Sequence, residues 1–312
     1  MSRIFDALQR SGTEQSGVEY PDMMSVASAV FEAAPKPEAI DESVPMAVAD
    51  LLAEMQPVPA QLATSQKSRQ EQAPSPPFPT FPSLEVCVTP ASRLVFFTQP
   101  ESLAAEKFRF LGVRLRQIRQ SRTLKKVLIT STIPEEGKSL VALNLAGVLA
   151  RRKERVLLID GDLRRPVQAE HLGLGTLSGL SEWLQGESQT PSNIYHLSGI
   201  GLWIMPAGHP PVNPLELMQS GRLSALMQQL NDSFDWIIVD SPPLLPLADT
   251  TVWARLADGT LLVTREGTTQ KGTLQRGLEM IKKSDLLGVV LNGSSDTDHE
   301  DYYRRYSPPE SK

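Results

Sequence analysis

The sequence predicts an α/β fold in which a mostly parallel sheet carries helices on both faces. Two observations favour this class. Short apolar runs with the length of buried strands recur between residues 127 and 291, and segments with helical periodicity separate them. A strand, a helix and a second parallel strand in succession pack the helix against the sheet, so this alternation builds one layered domain.

Each element is placed from its run of apolar or periodic residues. The predicted strands lie near residues 127–130, 156–160, 202–205, 236–240, 260–264 and 287–291. The predicted helices lie near residues 101–120, 139–152, 214–230 and 271–284. In the first helix we expect the apolar face to contain Leu103, Phe110, Val113 and Ile118.

Four parts are expected along the chain. Residues 1–10 form a short amphipathic segment. Residues 11–87 form a disordered Pro-rich tether, because thirteen of the 25 prolines fall between Pro21 and Pro100 and apolar periodicity is weak there. Residues 88–293 form the folded domain, and residues 294–312 form a flexible, polar tail.

Composition argues against several classes of protein. The net charge of −5 argues against nucleic acid as a partner. A single cysteine, Cys87, precludes an internal disulfide framework and fits a reducing compartment. The sequence has no apolar run of about 18 residues and no signal-peptide pattern, so we expect a cytoplasmic protein.

The first functional motif is Gly137-Lys138-Ser139, which follows the predicted strand 127–130. A turn of this kind lets backbone N–H groups surround phosphates, and the helix that follows adds its positive N-terminal end. We expect Lys138 to reach the β- and γ-phosphates and the Ser139 hydroxyl to bind Mg²⁺. The predicted nucleotide-binding residues of this motif are Thr132, Ile133, Pro134, Glu135, Glu136, Gly137, Lys138, Ser139 and Leu140.

Thr132 departs from the usual Gly-x-x-x-x-Gly-Lys-Ser pattern, which places glycine six residues before the lysine. A β-branched residue disfavours positive φ, so either the loop enters in an ordinary conformation or nucleotide binding is weakened. Glu135 and Glu136 put two carboxylates beside the phosphate site, and we expect both side chains to point to solvent.

Two further apolar runs end in aspartate. Asp160 and Asp162 follow the run 156–159, and Asp240 follows the run 236–239. Open α/β sheets bind ligands at the carboxyl ends of their strands, so the three carboxylates should face one site.

The chemistry can be divided among these groups. One carboxylate of the Asp160–Asp162 pair can hold Mg²⁺ while the other accepts a proton. Arg164 either neutralises phosphate charge or pairs with a neighbouring side chain. The predicted metal ligands are Ser139, Asp162 and Asp240, and the predicted catalytic residues are Lys138, Asp160, Asp162 and Arg164.

Together the motifs resemble the bacterial tyrosine kinases of capsule and exopolysaccharide biosynthesis, the BY-kinases. The family's Walker A, A-prime and Walker B motifs correspond to residues 137–139, 160–164 and 240–243. The similarity runs from about residue 88 to residue 306. It implies a P-loop NTPase-like fold, ATP and Mg²⁺ as cofactors, and contact of Asn292 with the adenine. Partitioning ATPases share the fold but carry a signature lysine where this chain has Ile133.

The resemblance also implies an acceptor and an assembly. BY-kinases phosphorylate a C-terminal tyrosine cluster between neighbouring subunits, and here that cluster is Tyr302, Tyr303 and Tyr306. Family members use Glu-x-x-Arg-x-x-Arg for ring assembly.

Glu106 and Arg109 match the assembly motif, but Gly112 replaces its second arginine, with Arg114 or Arg116 as possible substitutes. The alternative is that this helix only packs on the sheet.

The main functional hypothesis is an ATP-dependent protein-tyrosine autokinase that regulates exopolysaccharide or capsule polymerisation and export. The alternatives are a P-loop ATPase switch without tyrosine kinase activity and a nucleotide-binding scaffold of the export machinery. The expected partners are a membrane-bound polysaccharide co-polymerase or activator, further copies of the chain and a cognate tyrosine phosphatase. The partner would hold the protein at the inner face of the cell membrane.

Overall fold

The computed structural model describes residues 80–86, 88, 92–186, 192–283 and 285–294. The chain divides into two units, 1–72 and 73–312, and every described residue lies in the second. The predicted N-terminal segment, most of the predicted tether and the tail tyrosines lie outside the described residues. No helix within these ranges is long and apolar enough to cross a membrane.

The described strands form one eight-stranded sheet. The strands are β1 (Ser83–Glu85), β2 (Lys126–Ser131), β3 (Val156–Asp160), β4 (Tyr195–Ser198), β5 (Leu202–Met205), β6 (Trp236–Asp240), β7 (Gly259–Arg265) and β8 (Leu286–Asn292). Their order across the sheet is β1-β4-β5-β3-β6-β2-β7-β8, and only β4 and β5 pair in antiparallel fashion. The predicted mostly parallel sheet is confirmed.

Helices occupy most of the connections between strands. They are α1 (Val95–Thr98), α2 (Leu103–Ser121), α3 (Lys138–Ala150), α4 (Gln168–His171), α5 (Leu180–Gln185), α6 (Pro214–Met218), α7 (Arg222–Ser233), α8 (Asp249–Leu256) and α9 (Lys271–Glu279).

Two predicted helices have different bounds in the structure. The predicted helix 214–230 is divided into α6 and α7 by Gly221, whose φ of 78° is left-handed and interrupts the helix. The predicted helix 271–284 ends at Glu279. Met280 and Ile281 continue the apolar pattern of the sequence, but they lie in the turn before β8, and Met280 is 49% exposed.

Strand β1 corrects the predicted start of the folded domain. The prediction placed residues 11–87 in the tether, but Ser83–Glu85 pairs in parallel with β4. Phe81 stacks on Phe234 with ring centroids 5.9 Å apart, and Leu84 packs against the core. This strand has three residues and lies in a proline-rich stretch, so its own sequence carries little strand signal.

Successive residues of the central strands alternate between two hydrophobic layers. In β3, Val156 and Leu158 belong to the layer that contains the buried residues of α3. Leu157 and Ile159 belong to the opposite layer, which contains the buried residues of α7 and α8. Because successive side chains of a strand point to opposite faces, helices cover both faces of the sheet, as predicted.

Helix α2 shares only part of the predicted apolar face: Ile118 packs against the core, but Phe110 and Val113 do not. Its buried residues are Ala105, Gly112 and Leu115, whereas Phe110 is 60% exposed and Val113 is 39% exposed. Spacings of seven and three residues bring the buried positions onto one side of the helix. A Cβ at Gly112 would lie 3.3 Å from a side-chain carbon of α3, so the small residue allows close helix packing.

Phe96→Ala is expected to lower the free energy of unfolding by about 3–5 kcal/mol, because a fully buried ring is replaced by a cavity. The ring lies so close to Gly147 of α3 that a Cβ at this glycine would overlap it. Phe110→Ala removes the same side chain from an exposed site and should change the free energy by less than about 1 kcal/mol. Urea unfolding followed by circular dichroism measures both variants, and equal losses would contradict this packing.

Candidate functional site

The carboxyl ends of β2, β3 and β6 lie side by side, because β6 pairs with both β2 and β3. The register places Asp160 of β3 directly opposite Asp240 of β6. The loop of residues 132–137 connects β2 to α3 at the same edge. The three predicted motifs therefore meet at one place in the fold.

The loop before α3 enters in an ordinary backbone conformation. Its positive φ angles fall at Glu135 (67°) and Gly137 (90°), and Thr132 is not among the described residues with positive φ. The sequence leaves two alternatives for Thr132, and the structure shows the first of them, a loop that enters in an ordinary conformation. Two features require glycine at position 137. Its φ is positive, and a Cβ there would overlap the side-chain amide of Asn292.

Glu136 corrects the prediction that both loop glutamates point to solvent. Glu135 is exposed, but Glu136 is completely buried. The Glu136 carboxylate accepts a hydrogen bond from the backbone N–H of Ile133 at 2.8 Å and another from the Thr269 hydroxyl. Burying a carboxylate is costly unless it is hydrogen-bonded, so these donors explain how Glu136 is held inside the loop. Thr269 is distant in sequence, and no local pattern reveals the contact.

Lys138 connects the residues that are predicted to hold phosphate and metal. Its Nζ atom lies 3.2 Å from Asp162, 3.8 Å from Asp240 and 3.2 Å from the Ser139 hydroxyl. Burial lowers the pKa of Lys138, but the carboxylates of Asp240 and Asp162 raise it by more, so the net change is upward. The ammonium group therefore stays charged at neutral pH.

Burial dominates the electrostatics of the opposed aspartates. Asp160 and Asp240 are almost completely shielded from solvent. Burial and the adjacent charge of Asp240 raise the pKa of Asp160 to about 8, and burial also raises the pKa of Asp240. The Asp160 carboxylate accepts backbone N–H bonds of 3.0 to 3.3 Å from Asp162, Val167 and Gln168.

The residues predicted to bind Mg²⁺ come together and fit a hard cation. Ser139, Asp162 and Asp240 all lie around the ammonium group of Lys138, and Oδ1 of Asp240 is buried without a hydrogen-bond partner. The described ranges contain no group of three His, Cys, Asp or Glu side chains arranged for a metal ion. Two carboxylates and a hydroxyl still suit Mg²⁺, which proteins usually hold with one or two carboxylates, waters and substrate phosphates.

Known proteins are similar to this chain in sequence and in fold. The family model ParA, described as NUBPL iron-transfer P-loop NTPase, matches residues 123–302. Tyrosine-protein kinase YwqD of Bacillus subtilis is 34% identical over 211 residues, which cover 67% of this chain and 89% of YwqD. The chain belongs to the BY-kinases.

Two further relatives support membership of the BY-kinase family. The kinase domain of Escherichia coli tyrosine kinase ETK matches with a TM-score of 0.60 and 31% identity, covering 64% of this chain and 79% of that domain. Succinoglycan biosynthesis transport protein ExoP of Rhizobium meliloti is 35% identical over 198 residues, or 62% of this chain. The match covers only 25% of ExoP.

In this BY-kinase the A-prime arginine is held by a neighbouring side chain. Arg164 bonds the carboxylate of Asp249 in α8 at 2.7 Å from Nε and 3.1 Å from Nη2, and this contact raises the pKa of Arg164. Of the two predicted alternatives, the structure shows the pairing. Trp253 of α8 also donates to the carbonyl of Gly161 at 3.1 Å. The sequence does not reveal the roles of Asp249 and Trp253, because their partners are distant along the chain.

Asn292 is the last residue of β8 and lies against the loop of residues 132–137, which we call the phosphate loop. Its side-chain amide donates to the backbone carbonyl of Glu136 at 2.9 Å. The backbone carbonyl of Glu135 accepts a second bond, of 3.3 Å, from the Arg265 side chain at the end of β7. The predicted contact of Asn292 with adenine stays a prediction, but the structure places this residue beside the predicted nucleotide-binding loop.

The residues of the predicted assembly motif lie on α2. Arg109 pairs with Glu106 at 2.7 Å, so these two residues bond each other within one chain. Arg116 pairs with Glu154 at 2.5 Å. Arg114 is exposed, which leaves it as the outward-facing candidate for the missing second arginine.

A cleft of about 500 Å³ opens beside Asp160. Its walls come from residues within 166–177 and 206–210. Glu182 holds the second wall in place, because its carboxylate accepts the backbone N–H of His209 at 2.9 Å and lies 2.7 Å from the His209 ring nitrogen Nδ1. Of the three aspartates of the site, Asp160 is the one that lines this cleft.

Glu136→Ala is expected to destabilise the fold by about 1–3 kcal/mol, because the Ile133 N–H loses its hydrogen-bond acceptor. Nucleotide binding should weaken as well, since the loop loses its internal support. Glu135→Ala removes the neighbouring, exposed carboxylate and is the matched control, with an expected change within about 0.5 kcal/mol. Urea unfolding and titration with a fluorescent nucleotide measure the two effects. Indistinguishable variants would show that Glu136 does not support the loop.

Proposed function

We propose that this chain is an ATP- and Mg²⁺-dependent protein-tyrosine autokinase. One observation carries the proposal: Lys138 lies within 3.8 Å of Ser139, Asp162 and Asp240, so the three motifs form a single site. Phosphoryl transfer depends mainly on positioning and on stabilisation of negative charge, and this group of side chains is suited to both tasks. YwqD, which is named a tyrosine kinase, is similar in sequence, and the kinase domain of ETK is similar in fold and sequence.

Residues 132–140 hold the triphosphate in this proposal. Their backbone N–H groups and the N-terminal end of α3 attract the phosphate oxygens, and Lys138 contacts the β- and γ-phosphates. Asn292 contacts the adenine. Bound Mg²⁺ would supply positive charge against the triphosphate, with Ser139, Asp162 and Asp240 as its protein ligands.

Asp160 accepts the proton of the tyrosine hydroxyl. A phenol with a pKa of about 10 is a poor nucleophile at neutral pH, so the reaction needs a nearby base. Asp160 and Glu170 both line the cleft, and Asp160 is the one at the strand end opposite Asp240. Arg164 positions Asp162, because its bond to Asp249 fixes the segment that carries both residues.

The acceptors are Tyr302, Tyr303 and Tyr306, supplied by a neighbouring copy of the chain. These residues lie outside the described ranges, and the last described strand ends ten residues before the first of them. A polar tail of this composition can enter the site of a neighbour. Arg114 on the exposed side of α2 is the candidate contact between copies.

We place this activity in the polymerisation and export of an exopolysaccharide or capsule. The support is the similarity to ExoP, which is named as a succinoglycan biosynthesis transport protein. A membrane-bound co-polymerase or activator would hold the chain at the inner face of the membrane, and a cognate phosphatase would reverse its phosphorylation. Nucleic acid is not expected as a partner, given the net charge of −5.

Lys138→Met is expected to abolish ATP-dependent tyrosine phosphorylation, because a positive charge is lost from a site built around it. The measurement is anti-phosphotyrosine detection on purified protein after incubation with ATP and Mg²⁺. Lys271→Met, at the exposed start of α9, is the control and should keep the wild-type signal. ATP hydrolysis without phosphotyrosine in the wild type would favour the ATPase switch. Nucleotide binding without turnover would favour the scaffold.

A triple Tyr→Phe variant at 302, 303 and 306 is expected to lose nearly all phosphate, since the chain has only five tyrosines and these three form the tail cluster. The control replaces the other two, Tyr20 and Tyr195, and should retain the label. Mass spectrometry of both variants locates the phosphates. Each phosphate adds about −1.5 to −2 charges, which should repel the tail from the acidic site of a neighbouring subunit. Because this repulsion loosens the contact between subunits, light scattering should also show a smaller oligomer after phosphorylation. Phosphate mainly outside the tail would refute the proposed acceptor.

A further inference from the structure

Gln168 joins the elements that carry the acidic groups of the site. It is the first residue of α4 and is completely buried. Its side-chain Nε2 donates to the Asp240 carboxylate at 2.7 Å and to the Ser139 backbone carbonyl at 3.0 Å. Its backbone N–H donates to Asp160 at 3.0 Å. One residue thus links the ends of β3 and β6 to the first turn of α3.

The bond from Gln168 fixes the orientation of the Asp240 carboxylate. Oδ2 of Asp240 accepts the Gln168 hydrogen bond, whereas Oδ1 has no hydrogen-bond partner and lies 3.8 Å from Lys138 Nζ. A carboxylate group is planar, so holding one oxygen restricts the direction of the other. Gln168 therefore turns the unbonded oxygen of Asp240 towards the side of the site occupied by Lys138.

The second polar atom of the Gln168 side chain is unsatisfied. Oε1 is buried and accepts no hydrogen bond. An unsatisfied buried acceptor costs roughly 1–3 kcal/mol, which is expensive for a residue that only fastens a short helix. The bonds that Nε2 makes to Asp240 and Ser139 have to offset this cost.

We propose that Gln168 is a positioning residue for the divalent cation. Nε2 holds the Asp240 carboxylate in the orientation that presents its other oxygen to the cation. This inference rests on the proposed function, because it takes Asp240 as a ligand of Mg²⁺. Gln168 lies eight residues beyond Asp160 and outside the three sequence motifs, so motif spacing did not reveal it.

The test is a binding measurement on the full chain that does not depend on turnover. A fluorescent ADP analogue is titrated at increasing Mg²⁺ concentration. The Mg²⁺ midpoint, which is the Mg²⁺ concentration that gives half of the full increase in nucleotide binding, is read for each variant. Gln168→Met keeps the length of the side chain and removes its hydrogen bonds. We expect it to raise the midpoint by about tenfold or more, as loss of a residue that orients a metal ligand typically does. Affinity without Mg²⁺ should stay within about twofold.

Leu172→Ala is the control for general damage near α4. Leu172 is 2% exposed and directly follows the helix, so its truncation should lower the melting temperature. The Mg²⁺ midpoint of this control should stay within about twofold of wild type, since Leu172 carries no polar group. If Gln168→Met does not fold, Gln168→Asn keeps an amide on a shorter side chain and should also raise the midpoint.

A double-mutant cycle with Asp240→Asn shows whether Gln168 acts through Asp240. Adding Gln168→Met to Asp240→Asn should change the midpoint by less than about twofold, because residues that act through one contact are not additive. A wild-type midpoint in the folded Gln168 variants, or a full additional effect in the double variant, would overturn the inference. Wild-type protein whose nucleotide binding ignores Mg²⁺ would overturn the proposed metal site and this inference together.

Discussion

The placement of buried carboxylates around one ammonium group governs this site. Asp160 and Asp240 stand opposite each other at adjacent strand ends with almost no solvent, and Asp162 follows two residues later. Carboxylates held this close together raise each other's pKa, and their mutual repulsion opposes folding. Lys138 offsets part of this cost, and backbone N–H groups stabilise Asp160 further. Helices α4 and α8 each supply a contact that keeps the strand ends carrying these charges in place.

Six of the eight described strands and the three motifs could be located from the sequence because they are local features, whereas β1 and β4 could not. A buried parallel strand appears as a short apolar run, and the motifs follow such runs directly. The same reasoning failed where a residue's partner is distant. The burial of Glu136 depends on Thr269, and the pairing of Arg164 depends on Asp249. Periodicity also placed Phe110 on the buried face of α2, although packing against α3 selects another side.

The phosphate loop is fastened to the C-terminal edge of the sheet. Asn292 and Arg265 donate to backbone carbonyls of the loop, and Thr269 donates to the carboxylate of Glu136. These donors come from the ends of β7 and β8 and the turn between β7 and α9. The chain leaves β8 at Asn292 and continues towards the proposed acceptor tyrosines, so the start of that segment is bonded to the loop of residues 132–137. Movement at the start of that segment would therefore disturb the loop.

Lys138 faces two demands that one ammonium group cannot satisfy together. In the structure it lies against Asp162 and Asp240, whereas the proposed reaction places it on phosphate oxygens. A nucleotide bound with Mg²⁺ resolves the conflict, because the dication takes over the carboxylates while the phosphates take the ammonium group. Neither set of buried charges is then left unpaired during the exchange, which matters because an uncompensated buried charge costs several kcal/mol. Nucleotide alone would draw Lys138 away and leave the aspartates without a counter-charge. The arrangement of these side chains therefore favours joint binding of nucleotide and cation over either one alone.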